Sequence, residues 1–287
     1  MRLAKYRGPD GCTGVGILEG DDLRPLTPGV RLADILHATG PTSLSRQRSE
    51  VPFAGASGSS VAEITLLPPI DEQEVWAAGV TYLRSKTARE EESASAGAAS
   101  FYDRVYTAPR PELFFKATAS RVVGPGQAIR ARADSRWTVP EPELALVISP
   151  DLRIVGYTIG NDVSARDIEG ENPLYLPQAK VYKQSCALGP CVTLAATMPP
   201  REPVRIRMTV ARGDVIAFEG ETGLDRMARP LEELVDWLGR ENEFPHGVIL
   251  LTGTGVVPPD DFTLLAGDVV SISIDGIGTL TNPVVVG

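Results

Sequence analysis

Histidine and cysteine are scarce in this chain: His37 and His246 are its two histidines, and Cys12, Cys186 and Cys191 its three cysteines. No pair among them has the close spacing of a zinc site, which argues against zinc. Three cysteines also make no disulfide framework, and they fit a reducing, cytoplasmic compartment. No apolar run approaches bilayer length, and the opening MRLAKYRGPDGCTG lacks the apolar stretch of a secretory signal, so neither a membrane span nor export is expected. Positive charge is short as well. Against 37 acidic residues stand 28 lysines and arginines, a net charge of −9 with a pI near 4.9, and no basic stripe is available for a nucleic-acid backbone. What remains is an ordinary composition, 43% hydrophobic and 23% charged, over 287 residues. That length suffices for one large core, or a core with a small appended domain.

Residues 1–68 read as short strands over Leu3–Tyr6 and Val15–Leu18, a helix over Leu32–Ala38 and a Ser/Gly/Pro-rich connection, together a small N-terminal domain. The rest, residues 69–287, is strand-rich. Val75–Val80, Val147–Ile159, Val204–Val210, Val215–Gly220, Val248–Leu251 and Val269–Ile274 are the candidate strands. Leu231–Leu238 reads as a helix that starts near Arg229-Pro230 and ends at Gly239. Arg212-Gly213-Asp214 lies between two strand patterns and reads as a hairpin turn, not an adhesion motif. Thr81–Tyr106, rich in Ser, Ala, Arg and Glu, reads as helical with weak caps and as a mobile element over a site.

Glu141-Pro142-Glu143 and, nineteen residues after Glu143, Asp162 put three carboxylates among apolar strands. Leu144–Ile148 is apolar, Ser149-Pro150-Asp151 signals a turn, and the strand pattern resumes at Arg153, so the spacing predicts a hairpin. Glu141 and Glu143 share a face, and closing Ile148 against Arg153 puts Asp162 opposite Val139, on that same face. Pro142, with no N–H to donate, suits a strand edge or a site mouth. Crowded like charges call for a proton or a bound cation, the alternative being a solvated strand end with scattered acids. All-oxygen ligation suits a hard ion. A few carboxylates that leave positions open for water and substrate suit Mg²⁺, with Mn²⁺ or Ca²⁺ as alternatives. A bidentate 2-oxo acid would chelate such an ion through its carboxylate and keto oxygens, and the ion would polarise the carbonyl.

These carboxylates, together with Gly156–Asp167 (GYTIGNDVSARD), Leu251-Thr252-Gly253-Thr254 and Gly276-Ile277-Gly278-Thr279-Leu280, resemble the fumarylacetoacetate hydrolase family from about residue 72 to the end. The resemblance implies an α+β fold with a mixed β-roll core, a homodimer or homotetramer, and a divalent metal on Glu141, Glu143 and Asp162. Hydrolytic members carry Asn-Tyr-x-x-His-x-x-Glu where this chain has Thr81-Tyr82-Leu83-Arg84-Ser85-Lys86-Thr87-Ala88. The water-activating His and Glu are thus Ser85 and Ala88, with nearby Glu90 or Glu91 as substitutes for the base. Glu169–Tyr182 (EGENPLYLPQAKVY) and Pro111–Lys116 instead resemble the 2-keto-3-deoxy-D-arabinonate dehydratase branch, which implies proton-transfer roles for Lys180 and Glu112.

The function so implied is Mg²⁺-dependent dehydration of a 2-keto-3-deoxy sugar acid, 2-keto-3-deoxypentonate to 2-oxoglutarate semialdehyde. Lys180, if neutral, would take the C3 proton and Glu112 would protonate the departing C4 hydroxyl, with a Schiff base on Lys180 as the competing mechanism. The bland readings are a surface lysine and a solvated strand acid. Thr254, Arg84 and Ser85 are candidates for holding substrate, each weighed against a structural role. Arg166 and Asp167 are expected to form a structural ion pair, His246 to be a satisfied turn residue, and Cys186 and Cys191 to pack. Two other functions stay open: a metal-dependent hydrolase of carbon–carbon bonds in acylpyruvate-like or fumarylacetoacetate-like β-diketo acids, and a catalytically silent binder of 2-oxo acids.

Overall fold

The computed structural model describes residues 1–20, 22–37, 59–60, 64–82 and 108–287. Its spine is the hairpin of Pro142–Ile148 and Ile154–Asp162. Every residue of the first strand is buried, so Leu144–Ile148 is an unbroken apolar run and not an alternation. Leu144, Leu146 and Ile148 enter one core; Ala145 and Val147 enter another.

Beyond the Pro142–Ile148 strand the sheet continues through Val248–Leu251 and Glu74–Gly79, which run parallel to each other, to Glu112–Thr118 at the edge. On the other side Cys186–Leu194 pairs with Ile154–Asp162 and carries Arg2–Arg7, to which Thr13–Glu19 and Asp22–Pro25 are added. Twelve strands are joined in this way among the described residues. Leu3, Val15 and Ile17, with Leu32, Ile35 and Leu36 of the Leu32–Leu36 helix, share the core that holds Ala145 and Val147. The opposite core is completed by a five-stranded sheet, in the order Val215–Gly223, Arg205–Arg212, Val269–Ile274, Gly278–Val286 and Ile129–Ala131. Buried positions alternate along Arg205–Arg212 and Val269–Ile274, as a sheet covered on one side requires. The result is a mixed, sheet-dominated α+β fold. Among the described residues no helix is long and apolar enough to cross a membrane.

The Leu231–Leu238 helix follows Pro230 and ends at Gly239, with Leu234, Val235 and Leu238 in the core. Gly213, at φ +59°, turns the hairpin between Arg212 and Val215. The carboxylate hairpin departs from its expected register. Ile148 faces Ile154, a bulge follows, and Pro142 faces Asn161, so Asp162 lies across from Glu141, to whose carbonyl its N–H donates at 3.0 Å, and not from Val139. One extra residue enters in the turn and one in the bulge. A slip of two preserves the face, so the expected convergence of the three carboxylates survives. Pro142 occupies the first position of its strand, outside the part paired with Val248–Leu251, where no ladder bond needs its nitrogen. Cys186–Leu194 escaped the strand reading because Gly189-Pro190 interrupts it; the ladder absorbs the proline with a register shift opposite that pair.

Candidate active site

Glu141, Glu143 and Asp162 are all at most 4% exposed, and one oxygen from each lies within 4.8 Å of the others. Three cations surround them. Glu141 is bonded by Arg166 Nη2, by Lys180 Nζ at 2.6 Å and by Ser164 Oγ at 3.0 Å. Asp162 receives Lys116 Nζ at 2.5 Å on one oxygen and Lys180 Nζ at 3.0 Å on the other. Glu143 has no such partner among the described residues, and accepts the N–H of Gly253 at 2.5 Å. Burial, then the neighbouring charges of Asp162 and Glu141, hold its carboxyl well above the ordinary carboxylate range. A carboxyl so placed keeps its proton until a cation replaces it. That behaviour, with an all-oxygen donor set, fits a hard divalent ion.

Local sequence explains the placement. Gly253, at φ +88°, turns the chain after Val248–Leu251 so that its N–H meets Glu143, and a Cβ there would lie 2.1 Å from Thr81 Oγ1. The Glu112–Thr118 strand bulges at Lys116, between the pairs Phe115–Trp76 and Ala117–Val75, and it brings the Phe114 ring to 5.4 Å from Lys180 Nζ and Lys116 Nζ to Asp162. A small cavity is lined by the three carboxylates, Lys180, Phe114, Gly253, Thr254 and the end of the Glu74–Gly79 strand. Glu112 is half-buried beside that end: a Cβ on Gly79 would come within 1.9 Å of its Oε2.

Lys180 is 1% exposed, which excludes the surface-lysine reading, and Thr254 lines the cavity while its hydroxyl bridges the N–H and carbonyl of Val256. Arg84, Ser85, Glu90, Glu91 and most of Thr81–Tyr106 lie outside the described residues. The ion pair expected within Arg166-Asp167 does not form. Arg166 turns inward to Glu141, while Asp167 accepts from Ser135 Oγ and the Arg136 N–H, because successive positions at the start of the Arg166–Glu171 helix point to different sides. His246 is exposed, 3.4 Å from Glu72, and burial pushes the thiols of Cys186 and Cys191 up to about 12 and about 11, as befits packing residues. The sequence reading also passed over Lys116 as a functional group. Its signal was one lysine inside the apolar stretch Leu113–Ala117.

The family model described as fumarylacetoacetate (FAA) hydrolase C-terminal matches residues 74–285. The chain belongs to the fumarylacetoacetate hydrolase family. Within this family it is 46% identical over 264 residues to a probable 2-keto-3-deoxyxylonate dehydratase of Haloferax volcanii, covering 92% of this chain and 89% of the relative. It is 45% identical over 225 residues to 2-dehydro-3-deoxy-D-arabinonate dehydratase of Saccharolobus solfataricus, covering 78% and 76%. A solved structure of 2-keto-3-deoxy-D-arabinonate dehydratase complexed with magnesium and 2,5-dioxopentanoate covers 100% of this chain and 99% of its own, at 36% identity and a TM-score of 0.84.

Proposed function

We propose that this protein is a Mg²⁺-dependent dehydratase, a carbon–oxygen lyase that converts a 2-keto-3-deoxypentonate to 2,5-dioxopentanoate, which is 2-oxoglutarate semialdehyde. The observation that carries the reading is the meeting, in one cavity, of a buried Glu-Glu-Asp cluster with the amine of Lys180. Its relatives named as dehydratases support the choice of reaction. Glu141, Glu143 and Asp162 would hold magnesium, which supplies positive charge to anchor a 2-oxo acid and acidify its C3 protons.

The residues divide the remaining chemistry. Lys180, in its neutral form, takes a C3 proton; the electron pair left on C3 forms the C3–C4 double bond as the C4–O bond breaks. Glu112 gives the departing hydroxyl its proton, so water leaves. The same pair then moves a proton from C5 to C3, which leaves a C4–C5 enol; loss of the enol hydroxyl proton with protonation of C4 gives the aldehyde, with no further loss of atoms. Thr254, Arg84 and Ser85 complete the proposed set as substrate-holding residues. Thr254 is one of the residues that line the cavity. A cytoplasmic location and a homodimer or homotetramer belong to the same reading, as does a division of the chain into residues 1–68 and a catalytic part, 69–287, which the family match beginning at residue 74 supports.

Incubating the protein with Mg²⁺ and 2-keto-3-deoxypentonate is expected to yield the semialdehyde with an intact carbon chain. Release of pyruvate from an acylpyruvate would favour hydrolysis; oxalate that raises the melting temperature only with metal, without turnover of either substrate, would favour a silent binder. In the Glu112→Gln variant, kcat should fall by about 10²–10⁴-fold, the range for losing a proton-transfer group. Exchange of the C3 protons with deuterium should persist, since the base remains. Loss of that exchange along with turnover would reject Glu112 as the acid.

A further inference from the structure

Lys116 is a buried cation that the proposed reaction does not use. It is 0% exposed and does not line the cavity. Its ammonium donates to the Lys180 carbonyl at 2.5 Å and the Val163 carbonyl at 3.1 Å, and forms an ion pair with Asp162 Oδ1 at 2.5 Å. One partner is a carboxylate of the proposed metal cluster, and another is the backbone of the proposed base.

Lys180 ends a helix of five residues, Leu176–Lys180, whose last carbonyls have no acceptor role inside the helix. So short a helix does not hold its own geometry. Its carbonyl oxygens are instead gathered from outside: Arg132 Nη1 donates to Gln178 at 3.1 Å, and Ser185 Oγ shares its one proton between the carbonyls of Lys180 at 2.9 Å and Tyr182 at 3.0 Å, beside the bond from Lys116. We infer that Lys116 is a positioning residue that ties the main chain of Lys180 to Asp162 and so holds the Lys180 amine at the carboxylate cluster. The inference rests on the reading of Lys180 as the base.

Lys116→Met keeps an unbranched side chain and removes both hydrogen bonds and the ion pair. Displacement of a reacting group by about 1 Å lowers rates by about 10²-fold. Accordingly kcat should fall by about 10–100-fold while KM changes by less than about threefold. Calorimetric Mg²⁺ affinity should not weaken, since a cation beside the cluster has been removed. Hydrogen exchange read by mass spectrometry should accelerate in peptides spanning 176–185 and stay unchanged in the five-stranded sheet. An unchanged kcat, or exchange that accelerates everywhere together with loss of Mg²⁺ binding, would overturn the inference. Should Lys116→Met fail to fold, Ser185→Ala removes a second bond to the same carbonyl without disturbing a buried charge, and it should show the same split between kcat and KM in milder form; unchanged kinetics and exchange there would count equally against the tether. If the wild type turns over no 3-deoxy-2-keto acid, the functional reading fails, and the pattern of exchange still decides whether Lys116 holds the Lys180 segment.

Discussion

Lys180→Met should lower kcat by about 10²–10⁴-fold while leaving Mg²⁺ bound, because it removes the proposed base and none of the carboxylates. The amine touches Glu141, Asp162 and Ser164 at 2.6, 3.0 and 2.6 Å, so the substitution also strips a cation from two buried carboxylates. Leaving one side of a buried pair unmatched costs about 3–5 kcal/mol. The metal-free variant should therefore melt well below the metal-free wild type, and Mg²⁺ should restore most of the difference by neutralising the same oxygens. Turnover within tenfold of wild type would show that another group takes the C3 proton. A Schiff base on Lys180 makes a different forecast: borohydride would trap a covalent adduct with substrate, and none is expected here.

Mg²⁺ affinity should rise steeply with pH, because Glu143 must give up its proton to become a ligand. Its folded pKa lies well above the usual range, through burial first and then through Asp162 and Glu141. The unfolded chain holds that proton only below about pH 4.3. With the folded pKa the higher of the two, Glu143 contributes stability that is complete below about pH 4.3 and is lost as pH rises through the folded pKa. The metal-free protein should therefore weaken across that window, while the Mg²⁺-loaded protein gains. Affinity should climb about tenfold per pH unit as long as one proton is displaced. Calorimetry in buffers of different ionisation enthalpy would count that proton. Glu143→Gln imitates the protonated acid: it should preserve metal-free stability at high pH, abolish the proton release and weaken Mg²⁺ binding by at least about a hundredfold. Proton release that persists in this variant would place the displaced proton elsewhere.

Much of this site was legible in the residues themselves. Glu141, Glu143 and Asp162 declare a shared face because side chains alternate strictly along a strand, and a register slip of two residues cannot undo that. The Leu231–Leu238 helix was readable from its apolar spacing and from Pro230 and Gly239 at its ends. Such features are local: they depend on backbone period and on the conformational limits of single residues. What the tertiary structure alone decided is which cation meets which carboxylate. Arg166 reaches Glu141 and not its neighbour Asp167, and Lys116, 46 residues from Asp162, bonds to it across the sheet. Gly253 brings a backbone N–H to Glu143 from 110 residues away. Charge pairing in a buried site depends on distances of a few ångströms between segments far apart in the chain. Those distances are set by how strands stack and where bulges fall, and no periodicity along the sequence encodes them.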